Sequence, residues 1–298
     1  MKILLTGGTG LIGTALIQKI SNNDITVLTR DTDKARKLLP KTISLVSDLS
    51  SIDFSELDAV INLAGEPIAD KRWSKSQKEK ICQSRWQITK QIADQINAAS
   101  SPPTVFISGS AIGFYGRQSK ERIIESDSTF NDEFTHQVCK TWEDLALAAE
   151  SKHTRVCLLR TGIVLDSKKG ALKKMLPAFK AGLGGPISNG QQIMSWIHID
   201  DMVDIIVEAL SNKSLSGAIN ACAPNAVSNE QFSQQLSQVL SRPCLFRVPK
   251  PVLKLLLGEM ADLLLYGQNI YPDKLLTNGF KFNFETLDNA LINLLNKT

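Results

Sequence analysis

An α/β fold built on a doubly wound parallel sheet is predicted by three features of the sequence. An apolar run, Ile3 to Leu5, enters a turn with glycines at 7, 8 and 10, and a helical pattern begins at once with Gly13 in its first turn. Short apolar runs then alternate with helix-period segments along more than half the chain, as βαβ units do. The third feature is the size of the chain. At 298 residues, 43% hydrophobic and 21% charged, it can bury a large core and has the make-up of a globular protein.

The opening stretch, Met1 to Gly13, is the most informative. A strand that delivers the chain into a helix N-terminus forms an anion site, because the first N–H groups are free and the helix dipole favours negative charge. Gly7 permits the tight turn, Gly10 leaves room for backbone to approach a pyrophosphate, and Gly13 lets helix and strand pack closely. Thr9, Leu11 and Ile12 complete the predicted phosphate-binding turn. Leu11, Ile12, Ala15, Leu16 and Ile20 form one helical face, which Ser21-Asn-Asn-Asp24 stops. Ile25 to Thr29 reads as the second strand. Arg30, twenty positions after Gly10, follows it where NAD-binding proteins usually place an acid against the ribose hydroxyls. A guanidinium there suits a 2′-phosphate, so NADP(H) is the expected cofactor.

Ile43 to Val46 and Ala59 to Ala64 read as the third and fourth strands, each a short run suited to burial on both faces. Ligands of such sheets lie beyond the carboxyl ends of the strands, which puts Asp48, Leu49, Leu63, Ala64, Gly65 and Glu66 on the cofactor side. A long helix from about Ser74 to Ala99 ends at Pro102-Pro103. Val105 to Ser108 is the fifth strand, with Ser108 at its end and Ser110 and Tyr115 in the loop beyond. His136 to Glu150 is helical with Trp142 facing inward, and Arg155 to Leu159 is a sixth strand. The character changes at Asp166. Leu183 to Gly190 is glycine-rich without following a strand and reads as a loop. Met202 to Leu210 is an apolar helix, Gly217 to Ala223 can return as the last strand, and Ser228-x-x-Gln231 opens a helix to Leu240 as a capping box. Helices near Pro251–Leu265 and Phe284–Leu295 close the chain. The division expected is a dinucleotide-binding domain over 1–165, with 195–224 returning to it, and a substrate lobe from 166–194 and 225–298.

Composition excludes several classes. The net charge of +4 comes with no basic block, which argues against nucleic acid, and Lys168-Lys169 with Lys173-Lys174 reads as a solvated helix face. Five scattered cysteines and three histidines offer no metal-ligand spacing and no disulfide framework, so no metal is expected. Val252 to Leu265 is too short and too charged to span a bilayer. The chain starts directly in a strand, so a signal peptide is not expected and a cytoplasmic location is.

These motifs together resemble the extended short-chain dehydrogenases/reductases, the nucleotide-sugar-epimerase-like group. The resemblance rests on Thr6-Gly-Gly-Thr-Gly-Leu-Ile-Gly13, Asn62-Leu-Ala-Gly65, the serine-bearing loop after the fifth strand and Trp196-Ile-His-Ile-Asp-Asp201. Arg72-Trp73, Ser84-Arg85, Trp142-Glu143, Leu159 to Leu165 and Pro272-x-Lys-Leu-Leu276 look like one atypical branch, also labelled cell-division-inhibitor-like. The resemblance implies an NADP(H)-binding Rossmann domain, a small carboxy-terminal substrate lobe and a small-molecule substrate, a sugar nucleotide among the candidates, with a homodimer left open. Ordinary members carry Tyr-x-x-x-Lys, whose lysine lowers the tyrosine pKa for proton transfer. This chain lacks that motif: anchored on Glu143, its two positions fall on Thr135 and Cys139, whereas the motif's serine matches Ser110. Tyr115 and Glu66 are the candidate replacement acids, with Ser110 beside them as the third catalytic candidate. His198, beside Trp196, reads as structural. Two functions follow: an epimerase-like NADP(H) oxidoreductase acting on a hydroxyl or carbonyl group, or a non-catalytic NADP(H)-binding redox sensor or regulator.

Overall fold

The computed structural model describes residues 1–296. Seven strands form one sheet, all paired in parallel: β1 (Lys2–Thr6), β2 (Asp24–Leu28), β3 (Ser44–Val46), β4 (Ala59–Asn62), β5 (Val105–Ala111), β6 (Arg155–Thr161) and β7 (Gly217–Ala221). Their spatial order is β3-β2-β1-β4-β5-β6-β7. The chain winds one way from β1 to β3 and the other way from β4 onward, so the carboxyl ends of β1 and β4 flank the switch point where doubly wound sheets bind ligands. The fold is the Rossmann-type α/β architecture that the sequence predicts.

Eleven helices occur among the described residues. α1 (Leu11–Lys19), α2 (Thr32–Leu38), α3 (Lys75–Ala98), α4 (Phe134–Leu147), α5 (Gly170–Lys180), α6 (Ile199–Ser211) and α7 (Asn229–Val239) precede four helices of the tail. These are α8 (Lys250–Leu257), α9 (Asp262–Leu265), α10 (Asp273–Thr277) and α11 (Leu287–Asn296). None is long and apolar enough to cross a membrane. The sheet is buried on both faces. Ile3, Leu5, Ile61 and Ile107 pack with α1 and α6 residues such as Leu16 and Ile205 on one side, and Leu4, Val60 and Phe106 pack with Ile92 and Ile96 of α3 on the other. Side-chain alternation on strands covered by helices produces this pattern.

Two elements differ from expectation in ways that matter for the site. β5 runs on to Ala111 because β6 pairs with it through Thr161, so Ser110 is a strand residue opposite Arg160 and not a loop residue. The expected single helix over 251–265 is broken. Gly258 takes φ of +61°, a left-handed conformation that ends α8, and a 3-10 turn over Gly258–Ala261 leads into α9. The capping box at Ser228 forms as expected, the Gln231 side chain accepting from the Ser228 N–H. The tail also stitches itself to the loop after β5. Asn269–Ile270 pairs with Arg122–Ile123, Gln118 N–H donates to the Gly267 carbonyl, and Gln268 Nε2 donates to the Gly116 carbonyl at 2.6 Å.

Candidate active site

The turn between β1 and α1 is built around three glycines with different duties. Gly7 has φ of +71°, and a Cβ there would lie 2.6 Å from the Leu63 carbonyl carbon and oxygen. A Cβ on Gly13 would lie 2.3 Å from the Gly7 oxygen. Neither position accepts a side chain. Gly10 is different: its Cβ would meet only the Gly7 oxygen, at 3.1 Å, so its other side is open. Gly10 is also the N-cap of α1 and supplies no side-chain cap, and the first turn carries no acid. The exposed N–H end of the helix therefore faces open space, a cradle in which an added side chain would displace an anion. Thr9, Leu11 and Ile12 are partly buried around it. Leu11 Cδ2 reaches the start of α5, 3.0 Å from where a Cβ on Gly170 would sit.

Arg30 is exposed just beyond the end of β2, and no described residue pairs with its side chain. Its neighbour Asp31 is engaged as the N-cap of α2, accepting from Lys34 N–H at 2.9 Å. Asp48, after β3, accepts from Ser50 N–H at 2.9 Å, and these hydrogen bonds hold its carboxyl below the usual range. The Leu49 side chain is buried in the core beside Leu4 and Val60, so only its backbone is placed to meet a ligand. A further cation that the sequence reading left on a solvated helix face arrives from the lobe. Lys169 Nζ is 3.2 Å from Thr14 Oγ1, which itself donates to the Gly10 carbonyl.

The end of β4 is held by a buried polar relay. Thr6 Oγ1 donates to Asn62 Oδ1 at 2.6 Å and accepts from Ala64 N–H at 3.2 Å, and Asn62 Nδ2 donates to Thr89 Oγ1 at 2.8 Å. These bonds fix Leu63, Ala64 and Gly65 beside the glycine turn. Glu66 N–H donates to Ser84 Oγ, and the Glu66 carboxylate lies 3.7 Å from Lys80 Nζ, which is about half exposed. Ser108 is fully buried within β5, level with Asn62.

At the β5 end the hydroxyls turn inward. Ser110 Oγ donates to Glu143 Oε1 at 2.6 Å. Glu143 receives both arms of Arg160, from Nε and Nη2 at 2.9 Å each. Arg160 Nη1 donates to the Tyr115 hydroxyl at 2.9 Å, and that hydroxyl donates to Asn220 Oδ1 at 2.8 Å. The guanidinium also stacks on Phe114 at 3.5 Å. Tyr115 is 0% exposed, and burial pushes its phenol up to about 12 although Arg160 opposes the shift. So placed, Tyr115 has no free proton to offer a substrate in the cleft. Ser110 likewise spends its proton on Glu143.

The two positions of the missing motif are also closed. Thr135 is buried and donates to Glu133 Oε1 at 3.2 Å. Cys139 is buried, and its thiol is pushed up to about 12, first by burial and then by Glu143. His198 is buried at the start of α6, where Nδ1 accepts from Asp200 N–H and the ring stacks on Phe284 at 3.9 Å, in keeping with a structural role. No cluster of three possible metal ligands occurs among the described residues.

The chain is similar in sequence and in fold to known proteins. The family model described as the NAD dependent epimerase/dehydratase family matches residues 3–222, and a domain of unknown function, DUF1731, matches residues 248–294. The chain is 41% identical over 305 residues to an "Epimerase family protein SDR39U1 homolog, chloroplastic" of Arabidopsis thaliana, covering 98% of this chain and 86% of the relative. It superimposes on the crystal structure of human epimerase family protein SDR39U1 (isoform 2) with NADPH with a TM-score of 0.92 at 30% identity, covering both chains completely. MoeE5 in complex with UDP-glucuronic acid and NAD shares the fold, with a TM-score of 0.77 at 18% identity over 100% of this chain and 99% of that one.

Proposed function

The chain belongs to the NAD-dependent epimerase/dehydratase family, and from that premise we propose that it is an NADP(H)-binding, epimerase-like oxidoreductase acting on a small hydroxyl or carbonyl substrate. The observation that carries this reading is the open cradle at the β1–α1 turn with Arg30 unpaired at its ribose corner. Gly7 and Gly13 leave no room for side chains, while the open side of Gly10 suits a pyrophosphate. Arg30 offers a charged fork where a 2′-phosphate would lie. The bound dinucleotide would supply or accept a hydride. The protein's own part is to orient the substrate and to move one proton between a carboxyl group and the substrate oxygen. Glu66 takes that part, since its carboxylate stands at the β4 end and accepts no hydrogen bond from the described residues, with Lys80 3.7 Å away and the charge of Arg85 also acting on it. Five free cysteines, four of them buried, are in keeping with a cytoplasmic setting.

Titration of the purified protein should show NADPH binding more tightly than NADH. Equal affinities would overturn the cofactor assignment. Among sugar nucleotides, quinones and simple ketones, at least one compound should oxidise NADPH, and Glu66→Gln should slow that reaction about a hundredfold or more. A second reading, a non-catalytic NADP(H)-binding sensor, is favoured by one observation: the Ser110 and Tyr115 hydroxyls are both consumed by buried partners. Tight NADPH binding with no turnover across that panel would select it.

A further inference from the structure

The motif that is missing from α4 removes a cation as well as a phenol, and Cys139, neutral and buried, does not restore it. Two guanidinium groups lie close to this corner of the sheet. Arg160 is fully engaged: three of its nitrogens bind Glu143 and Tyr115, and its charge is matched by the Glu143 carboxylate. Arg85 of α3 is arranged differently. One nitrogen, Nη1, donates to the Glu66 carbonyl at 2.9 Å and the Ile81 carbonyl at 3.0 Å, with Ser84 Oγ at 3.5 Å. Its Cζ lies 5.2 Å from the centroid of the Trp142 ring, whose edge packs on Gly109 of β5. Among the described residues, Nε and Nη2 make no hydrogen bond and no carboxylate lies within ion-pair distance, the Glu66 carboxylate acting on the group only from further away.

These two nitrogens sit directly beneath Gly65. A Cβ there would lie 2.9 Å from Arg85 Cζ, 3.1 Å from Nη2 and 3.2 Å from Nε. Gly65 follows β4 at the switch point, on the side where the ligand of a doubly wound sheet lies. A glycine at this position therefore brings a fixed, largely buried cation to the surface of the cofactor cleft. Burial works against that charge, as it lowers the pKa of the guanidinium, and an oxygen acceptor beside it would offset the cost.

We propose that Arg85 supplies from α3 the cation that the family's lysine supplies from α4, its Nε–Nη2 edge donating to oxygen acceptors of the nicotinamide half of the bound dinucleotide. This rests on the NADP(H) reading above. Arg85 then has two jobs on two edges: Nη1 holds the loop after β4, and the opposite edge meets the ligand. Gly65 and Trp142 fix its plane between them.

The test separates those edges with two ligands, NADPH and adenosine 2′,5′-bisphosphate, which lacks the whole nicotinamide half. Each is titrated against wild type, Arg85→Gln and Arg85→Lys, with thermal melts run in parallel. Arg85→Gln should weaken NADPH about tenfold or more while changing adenosine 2′,5′-bisphosphate less than about twofold, the size expected for a charged hydrogen bond. Arg85→Lys, which keeps the charge and serves if the glutamine variant does not fold, should fall between wild type and Arg85→Gln for NADPH alone. Equal losses for both ligands, or no loss for either, would overturn the proposal and leave Arg85 as a loop anchor. If wild type binds neither ligand, the NADP(H) reading falls and this one with it.

Discussion

The two ends of the candidate site are built on opposite plans. Around β1, β2 and the start of α1, polar groups are left open: the helix end is uncapped, Gly10 faces free space and Arg30 has no partner. Around β5, β6 and β7, the hydroxyls and charges at the strand ends are turned onto one another. Ser110, Glu143, Arg160, Tyr115 and Asn220 form one buried chain, and Asn220 continues it to the Tyr271 carbonyl and to Glu125. The first end is preorganised to receive a ligand. The second resembles the interior of a protein, where a satisfied polar network rigidifies the fold. A residue type placed at the right strand end is thus no guide to reactivity; what matters is whether its proton is already committed.

That contrast can be broken or sharpened in five ways, in descending order of effect. Gly10→Val should abolish NADPH binding, measured by fluorescence titration, while the melting temperature stays close to wild type, because the added side chain enters ligand space and not the core. Retained binding would place the phosphate site elsewhere. At the closed end, Glu143→Ala should lower unfolding stability by about 3–5 kcal/mol in urea titrations, since it leaves Arg160 buried and unpaired. A loss under about 1 kcal/mol would mean the network is not the rigid unit described. Arg30→Ala should erase most of the preference for NADPH over NADH, about tenfold or more, without altering stability.

Tyr115→Phe should cost about 1–3 kcal/mol of stability at pH 8, because Arg160 and Asn220 each lose a partner. Its pH dependence has a definite sign. The folded phenol is raised to about 12 from an ordinary value near 10, so the stability it contributes is present below about pH 10 and is lost as pH climbs toward 12. The gap between wild type and Tyr115→Phe should therefore narrow between pH 8 and pH 11. A constant gap would show the phenol to be less enclosed than the structure has it. The smallest effect is expected for Lys169→Ala, a few-fold loss of NADPH affinity at low salt that fades at high salt, as suits an exposed cation near a phosphate. Salt-independent loss would argue for a packing role.

The parts of the molecule legible in the sequence are those governed by near neighbours. Three glycines within seven residues suffice to read the turn, because the positive φ of Gly7 and the close approach of Gly13 to its oxygen are local demands. The capping box at Ser228 is a three-residue rule, and the alternation of apolar runs with helical periods reports the winding of the sheet. Arg30 stands at a fixed count, twenty positions, from Gly10. Such features follow from steric and periodic constraints that any chain carrying those residues must meet.

What the tertiary structure alone decided involves partners far apart along the chain. Tyr115 read as a candidate acid because it follows β5, yet its fate is set by Asn220, 105 residues away, and by Arg160. Lys169 read as solvated because nothing in its own segment ties it to Thr14, 155 residues earlier. Arg85 carried no signal beyond membership of a motif, and its place beneath Gly65 depends on how α3 packs along β4 and β5. By itself the sequence determined a parallel doubly wound sheet with a phosphate-shaped turn, since local geometry and hydrophobic periodicity are sufficient causes of both. Folding decided which side chains keep a free proton or an unpaired charge, because that depends on burial and on hydrogen-bond partners that only packing brings together.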